Sequence, residues 1–336
     1  MNAARPIVIA GAGSIGCFVG GVLAVAGRPV RFLARPRVVD EVRASGLRLT
    51  SCEGGDQRLP AASIAMSTDP AVLREAGIVL VCVKSADTEA MAATIAAYAP
   101  RDAIIVSLQN GVSNVASLQK HLAGHRILAG MVPFNVAAMG NGRFHRTTPG
   151  DIVLQSDDAA TAARLSVAGL NIRASDNIVG VQWGKLLINL NNALNALSGL
   201  PLRDQLSQRP WRMLLADQIA EALKATAAEG VEPVATTPLP ASWTPHVLRL
   251  PDWAFRLVAG RMVRIDPKAR SSMSDDLERG RPTEIDFLQG AIVEIAHRRR
   301  LDVPLSERIV ALIKQAESSR KGSPRLRPDE VRAAAA

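Results

Sequence analysis

The chain has 336 residues, 48% of them hydrophobic, 21% charged and 3% aromatic, with a formal net charge of +9. That length exceeds one small core and suits two domains, the composition is that of a soluble globular protein, and the few aromatics form no cluster on which nucleic-acid bases could stack. The 40 basic residues comprise 33 Arg and 7 Lys, which fits an arginine-rich solvated surface and, as the sharper reading, attraction of anionic ligands such as a dinucleotide phosphate or a carboxylate.

From Ile7 to Gly27 the chain carries no charge and six glycines, at 11, 13, 16, 20, 21 and 27. A membrane span or a secretory leader could be drawn on such a run. Its internal spacing fits strand, turn and helix better. Pro6–Ala10 reads as a buried strand and is followed by Gly11-x-Gly13-x-x-Gly16, then by a helix to about Ala26; Pro29–Leu33 begins the next strand. This is one βαβ unit. Gly11 allows the tight turn, Gly13 lets backbone approach a pyrophosphate, and Gly16 lets the helix lie close to the strand. Ala12, Ser14 and Ile15 complete the expected phosphate turn, with helix N–H groups offered to the anion. At the end of the second strand an acid would hold the ribose 2′-hydroxyl of NAD, whereas an Arg would take the 2′-phosphate of NADP. The residues there are Leu33-Ala34-Arg35-Pro36-Arg37. The expected cofactor is therefore NADP(H), with Arg35 on the phosphate, although Arg35 is also simply one arginine among 33.

Leu47–Thr50 and a partner after Asp56 predict a hairpin turning at Gly54-Gly55. The runs Ile78–Val83 and Ala103–Leu108 predict central parallel strands. They end in Lys84-Ser85 and Gln109-Asn110-Gly111, and loops at carboxyl strand ends carry ligand sites in open α/β sheets. Lys84 and Asn110 are thus cofactor-edge candidates, while Asn110-Gly111 also reads as a plain turn. Residues 126–156 hold more strand-like runs, expected to extend the sheet. Cysteines 17, 52 and 82 form no CxxC pair and the five histidines no metal-ligand pattern, so no metal is expected. Cys17 and Cys82, inside apolar runs, read as core residues of a protein in a reducing compartment.

From Asp176 the apolar residues Ile178, Val181, Leu187, Leu190, Leu194 and Leu197 recur at helical spacing. They predict one long amphipathic helix with Asp176 as N-cap. Lys185, Asn189 and Asn192 fall on one face of it. They read either as a solvent face or as donors lining a cleft. Lys, unlike Arg, can give up a proton once its pKa is lowered. Val231–Pro267 holds six prolines with Trp243, Trp253 and Phe255, and reads as an ordered cap or an interaction surface. Farther on, Thr283 reads as the N-cap of a helix whose apolar face is Ile285, Leu288, Ile292 and Ile295. Glu284 is then either a first-turn acid favoured by the helix dipole or a carboxylate aimed at Lys185. The run His297-Arg298-Arg299-Arg300 suits a helix C-terminus.

Five ordered motifs add up to a pattern: GAGSIG at 11–16, VCVKS around Lys84, LQNG around Asn110, GKLLIN around Lys185 and Asn189, and SSM…RPTEID from Ser271 to Asp286. With them the chain resembles the ketopantoate reductases (2-dehydropantoate 2-reductases) from Ile7 to about Ala316. The resemblance implies a Rossmann dinucleotide-binding domain at 1–176 followed by an all-helical domain at 177–322, with 323–336 left as a basic, flexible tail. It implies NADPH-dependent reduction of 2-dehydropantoate to pantoate, a step of pantothenate synthesis, in a cleft between the domains. The general acid falls on Lys185 and its partner carboxylate on Glu284, which also lies at the cofactor. Asn110, Asn189 and Ser272 would hold substrate, and Lys84 and Asn110 would flank the nicotinamide; Asn192, from its place on the predicted helix, is a further substrate candidate. There are two departures. The family's second helix Asn, eight residues after the Lys and before a Pro, is here Ala193, with Asn192 one residue early; the proline-rich segment is also long.

Two rivals remain. One is another reductase of this architecture, for a different 2-keto acid or of the β-hydroxyacid dehydrogenase kind; the other is a non-catalytic NADP(H) sensor. The expected partner is a small 2-keto acid, with no nucleic acid and no membrane, a homodimer left open and a cytoplasmic location.

Overall fold

The uncharged run near the N-terminus folds as strand, turn and helix in a computed structural model that describes residues 5–156, 159–235, 240–259 and 269–333. The chain divides into two compact units, Met1–Ile178 and Val179–Ala336.

In unit 1 the elements follow as β1 (Ile7–Ala10), α1 (Ser14–Val25), β2 (Val30–Leu33), α2 (Pro36–Ser45), β3 (Leu47–Ser51), β4 (Asp56–Leu59), β5 (Ala65–Ser67), β6 (Ile78–Val81), α3 (Thr88–Tyr98), β7 (Ile104–Ser107) and α4 (Asn114–His121). Then come β8 (Arg126–Met131), β9 (Val136–Gly140), β10 (Arg143–Arg146), β11 (Ile152–Gln155), α5 (Ala159–Leu165) and β12 (Ile172–Ser175). An eight-stranded sheet runs β12-β11-β8-β7-β6-β1-β2-β5. Its pairs are parallel except β8 with β11. The chain leaves β1 toward β2 and β5 on one side and resumes at β6 on the other. This reversal is the switch point at which α/β sheets bind ligands.

The runs in β1 and β6 are unbroken because both faces of the sheet are covered. Ile7, Ile9, Ile78 and Leu80 enter the core shared with α1, whereas Val8, Ala10, Val79 and Val81 enter a second core with Ile95 and Leu118. Side chains alternate across a strand, so neither face has room for a polar residue.

A second sheet, β4-β3-β10-β9, pairs β3 with β10 in parallel and the flanking strands antiparallel. The expectation that residues 126–156 simply extend the main sheet is corrected here. β8 and β11 do so, but β9 and β10 turn back onto the predicted β3–β4 hairpin. Helix α1 touches β1 and β2 on one side and β3, β4, β9 and β10 on the other. A helix covered all round must be apolar all round, which explains the missing charges. A Cβ on Gly20 would come within 2.6 Å of Ile9 and 2.5 Å of Phe32, and one on Gly21 within 2.7 Å of Leu49. The two adjacent glycines thus let α1 approach both sheets.

Unit 2 is helical: α6 (Ile178–Asn189), α7 (Asn191–Ser198), α8 (Leu202–Ser207), α9 (Arg209–Ala228), α10 (Thr244–Leu248), α11 (Asp252–Ala259), α12 (Ser272–Glu278), α13 (Gln289–Arg299), α14 (Pro304–Ser319) and α15 (Pro328–Arg332). The single long helix expected from Asp176 is instead two, α6 and α7, separated at Leu190. Nor does Thr283 open a long helix. Its hydroxyl accepts the Ile285 N–H, a 3-10 turn covers Ile285–Phe287, and α13 starts only at Gln289. The expected apolar face, Ile285, Leu288, Ile292 and Ile295, is buried.

The segment 323–336, expected to be a flexible tail, is held down over its described residues. Ser323 donates to the Ala196 carbonyl and the Leu326 N–H to that of Leu197. Val331 of α15 is buried, and Arg332 pairs with Asp217 at 2.6 Å. Residues 334–336 lie outside the described residues, as do 236–239 and 260–268 of the Pro/Trp-rich segment. Within that segment residues 248–255 are gathered around one side chain. Arg212 of α9, 0% exposed, donates to the carbonyls of Leu206, Ser207, Leu248 and Leu250 and to Asp252, and its guanidinium lies 4.1 Å from the Phe255 ring centroid. A buried cation is tolerable only when fully paired in this way. Among the described residues no helix is long and apolar enough to cross a membrane.

Candidate active site

The turn between β1 and α1 has the shape of a phosphate cradle. Gly11 sits at φ +96°, where a Cβ would lie 2.4 Å from Val83, so only glycine fits. Gly16 is equally constrained, its Cβ position lying 2.7 Å from the Gly11 carbonyl oxygen and 2.8 Å from Ile9. Gly13 differs, because a Cβ there would meet nothing within 4 Å. Space over Gly13 and the first-turn N–H groups of Ser14, Ile15 and Gly16, which no side chain caps, suit an anion. Ala12 is buried and bonds through its N–H to the Leu33 carbonyl, tying the turn to the end of β2. These residues fit a dinucleotide pyrophosphate.

Arg35 follows β2 as the N-cap residue of α2, with its side chain 80% exposed. It donates to Asp87 at 2.7 Å, in the 3-10 turn after β6. Both therefore stand at the carboxyl end of the strands, on the two sides of β1. The guanidinium fits a 2′-phosphate, and Asp87 is a competitor for it.

Lys84 and Asn110, both exposed, follow β6 and β7. Beneath them lies a buried polar network not foreseen from the sequence. Asn114 donates to the Asn110 carbonyl at 2.6 Å and to Ser85 at 3.2 Å, and Ser85 donates to the same carbonyl at 3.0 Å. Thr88 donates to Asn114, while Gln109 donates to Thr88 and to the Val83 carbonyl. The Asn110 backbone is thereby fixed to the loop carrying Lys84. The signal available was the clustering of Ser85, Thr88, Gln109 and Asn114 just past two apolar strands.

In unit 2, Lys185 and Asn189 lie one turn apart on α6. Lys185 is partly buried, and desolvation pushes its pKa down from 10.5 to about 8. Asn189 is buried. Asn192 lies beyond the break, on α7, so one continuous helical face does not carry all three. What joins the elements is a set of buried amides. The Gln205 and Asn191 side chains bond reciprocally. Asn195 donates to Gln205 and to the Leu200 carbonyl and accepts the Ser271 N–H at 2.9 Å. Ser271, the N-cap of α12, donates to the Asn192 carbonyl at 3.0 Å. This brings Ser272, exposed at the start of α12, beside Asn192. Glu284, partly buried, opens the 3-10 turn before α13, and Gln289 at the start of α13 donates to the Leu190 carbonyl at 2.9 Å. The segments bearing Lys185, Asn189, Asn192, Ser272 and Glu284 are thus linked within unit 2. Among the described residues no group of three or more His, Cys, Asp or Glu is placed to hold a metal.

Residues 7–158 match the family model described as ketopantoate reductase PanE/ApbA, and residues 177–317 match its C-terminal counterpart. The chain belongs to the ketopantoate reductase family. It is 29% identical to a 2-dehydropantoate 2-reductase of Halobacterium salinarum, over 93% of this chain and 98% of that one. A crystal structure of a PanE/ApbA family ketopantoate reductase from Ralstonia eutropha is similar at 31% identity and TM-score 0.80, over 94% and 99% of the two chains. The fold is also that of D-mandelate dehydrogenase in a ternary structure with NADH and anilino(oxo)acetate, at 22% identity and TM-score 0.77, over 94% and 99%. Membership makes the chain an oxidoreductase that works with a nicotinamide dinucleotide.

Proposed function

We propose that this chain reduces 2-dehydropantoate to pantoate with NADPH. The observation that carries the reading is Lys185, a desolvated lysine whose pKa, about 8, suits a general acid near neutral pH. The 2-dehydropantoate 2-reductase relative and the motif residues that surround the lysine support the substrate, and Arg35 at the end of β2 supports the phosphorylated dinucleotide.

The glycine turn binds the pyrophosphate, and Arg35 holds the 2′-phosphate in place of Asp87. Lys84 and Asn110 orient the nicotinamide end and the substrate. Bound and reduced, the dinucleotide supplies the hydride to the keto carbon. Lys185 then gives a proton from Nζ to the developing alkoxide, a positioned transfer worth ~10²–10⁴-fold in rate, and solvent reprotonates it. Glu284 hydrogen-bonds Lys185 or the new hydroxyl, and Asn189, Asn192 and Ser272 hold the substrate's carboxylate and hydroxyl.

A second reading is NADH-dependent reduction of another 2-keto acid. Two observations favour it: Arg35 is already paired with Asp87, and buried Ala193 stands where the family pattern has its second helix Asn. Consumption of NADPH and of NADH measured against a panel of 2-keto acids, 2-dehydropantoate first, separates the two. Strong turnover of a different keto acid, with none of 2-dehydropantoate, overturns the first reading.

A further inference from the structure

We propose that Gln289 is a positioning residue that locks the turn carrying Glu284 to the helix carrying Lys185. The inference rests on the roles given to those two residues above.

Gln289 is 0% exposed. Its Nε2 donates to the carbonyl of Leu190, 99 residues away, at 2.9 Å. Leu190 is the junction at which α6 stops and α7 begins, directly after Asn189 and five residues after Lys185. On its backbone side Gln289 directly follows Leu288, the last residue of the turn that Glu284 opens. The Glu284 carbonyl accepts the N–H groups of Phe287 and Leu288, both at 3.1 Å, and Ile285 between them is fully buried. Glu284 therefore moves with its turn, and the turn is fixed to the α6–α7 junction through this amide.

Core packing alone does not explain a glutamine here. Its Oε1 is buried without a partner among the described residues, which disfavours it relative to an apolar side chain of the same shape. A Met would fill the same volume with no orphan atom of its own. What Met lacks is the donor to Leu190. Gln218 on α9 provides a control: it too is 0% exposed, and among the described residues neither of its amide atoms has a partner, so it secures no such junction.

The test compares Gln289→Met with Gln218→Met. Gln218→Met is expected to keep or raise the urea midpoint of the wild type, and Gln289→Met to stay near it, because it removes the Oε1 orphan and the Leu190 donor together. Gln289→Met should lose about 10- to 100-fold in kcat, the scale of a small misplacement at a reacting group, with KM for the dinucleotide unchanged. It should also move the lysine titration, followed by NMR of the Lys185 side chain, by about half a unit or more from the wild-type value. Gln218→Met should change neither. Wild-type kcat with an unmoved lysine titration in Gln289→Met overturns the proposal, as does an equal loss in Gln218→Met. Should the Met variant not accumulate, Gln289→Glu keeps the shape and loses the donor only when the carboxyl ionises. Its turnover should then fall with rising pH below the wild-type limb, and a profile identical to wild type again overturns the proposal. A wild type that reduces no 2-keto acid removes the functional reading, while the lysine titration still decides the role of Gln289.

Discussion

Replacing Lys185 by Met should abolish most turnover and at the same time stabilise unit 2. The folded-state pKa of about 8 lies below the ordinary 10.5 because burial disfavours the ammonium. At 1.36 kcal/mol per pKa unit, that gap corresponds to a burial cost of about 3 kcal/mol. Below pH 8 the wild-type lysine is charged both folded and unfolded, so the full cost weighs against the native state. Between pH 8 and 10.5 the unfolded chain holds the proton that the folded chain has released, and wild-type stability rises with pH. Above 10.5 the lysine is neutral in both states and the cost is gone. Lys185→Met never carries it. The variant should therefore be more stable by about 3 kcal/mol at pH 7, with the advantage shrinking through pH 8–10.5. Trp183, Trp211, Trp243 and Trp253 all lie in unit 2, so urea unfolding followed by tryptophan fluorescence reports that unit alone. Turnover should fall ~10²–10⁴-fold while dinucleotide binding survives. A variant less stable than wild type at pH 7, or one with near-normal kcat, refutes the argument.

The second and third glycines of the cradle should respond differently to alanine. Gly16→Ala forces a Cβ against the Gly11 carbonyl oxygen and Ile9 and should lower the melting temperature, whereas Gly13→Ala should leave the fold intact and weaken only dinucleotide binding, read by calorimetric titration. Arg35→Ala should raise KM for NADPH by about 10- to 100-fold, the value of a charge-assisted hydrogen bond, and leave KM for NADH unchanged; equal effects on both would remove Arg35 from the phosphate site. Asn195→Ala leaves the Ser271 N–H without its acceptor and should cost about 1–3 kcal/mol, together with a rise in substrate KM as the start of α12 loosens. Unaltered stability in urea would contradict the buried network.

The strand, glycine turn and helix at residues 7–25 were legible because their requirements are local. Gly11, Gly13 and Gly16 have separate steric reasons within six residues, and the flanking strands declare themselves by unbroken apolar runs. The second sheet was not legible. Its β3–β10 pairing joins segments almost 100 residues apart, and β9–β10 reads no differently from a strand that extends the main sheet. The break at Leu190 was hidden for a related reason. Apolar periodicity continues through it, from Leu187 to Leu194, so the pattern predicts one helix. The donor that meets the Leu190 carbonyl at this junction, on Gln289, is one that no local window contains. The 323–336 segment misled through composition. Its arginines and prolines read as solvated, yet Val331 and the Ser323 hydroxyl are what bind it down.

The polar burial of unit 2 is concentrated where the chemistry would need precision. Asn191, Asn195, Gln205 and Gln289 are all buried: Gln289 bonds the α6–α7 junction, Asn195 bonds the N-cap of α12, and Gln205 joins Asn191 to Asn195. Buried amides of this kind contribute little net stability beside apolar side chains of equal size. They do forbid sliding, because a helix displaced by one residue would leave several of them unpaired at once. An apolar interface tolerates small shifts, and the proton donor proposed at Lys185 would not, since a misplacement of about 1 Å can cost ~10²-fold in rate. Around the main sheet the glycine turn is fixed by backbone geometry, while the loops bearing Lys84 and Asn110 are held by the buried network of Ser85, Thr88, Gln109 and Asn114. In unit 2 the groups proposed to react, Lys185 on α6 and Glu284 before the 3-10 turn, stand on separate segments that buried side-chain hydrogen bonds tie together.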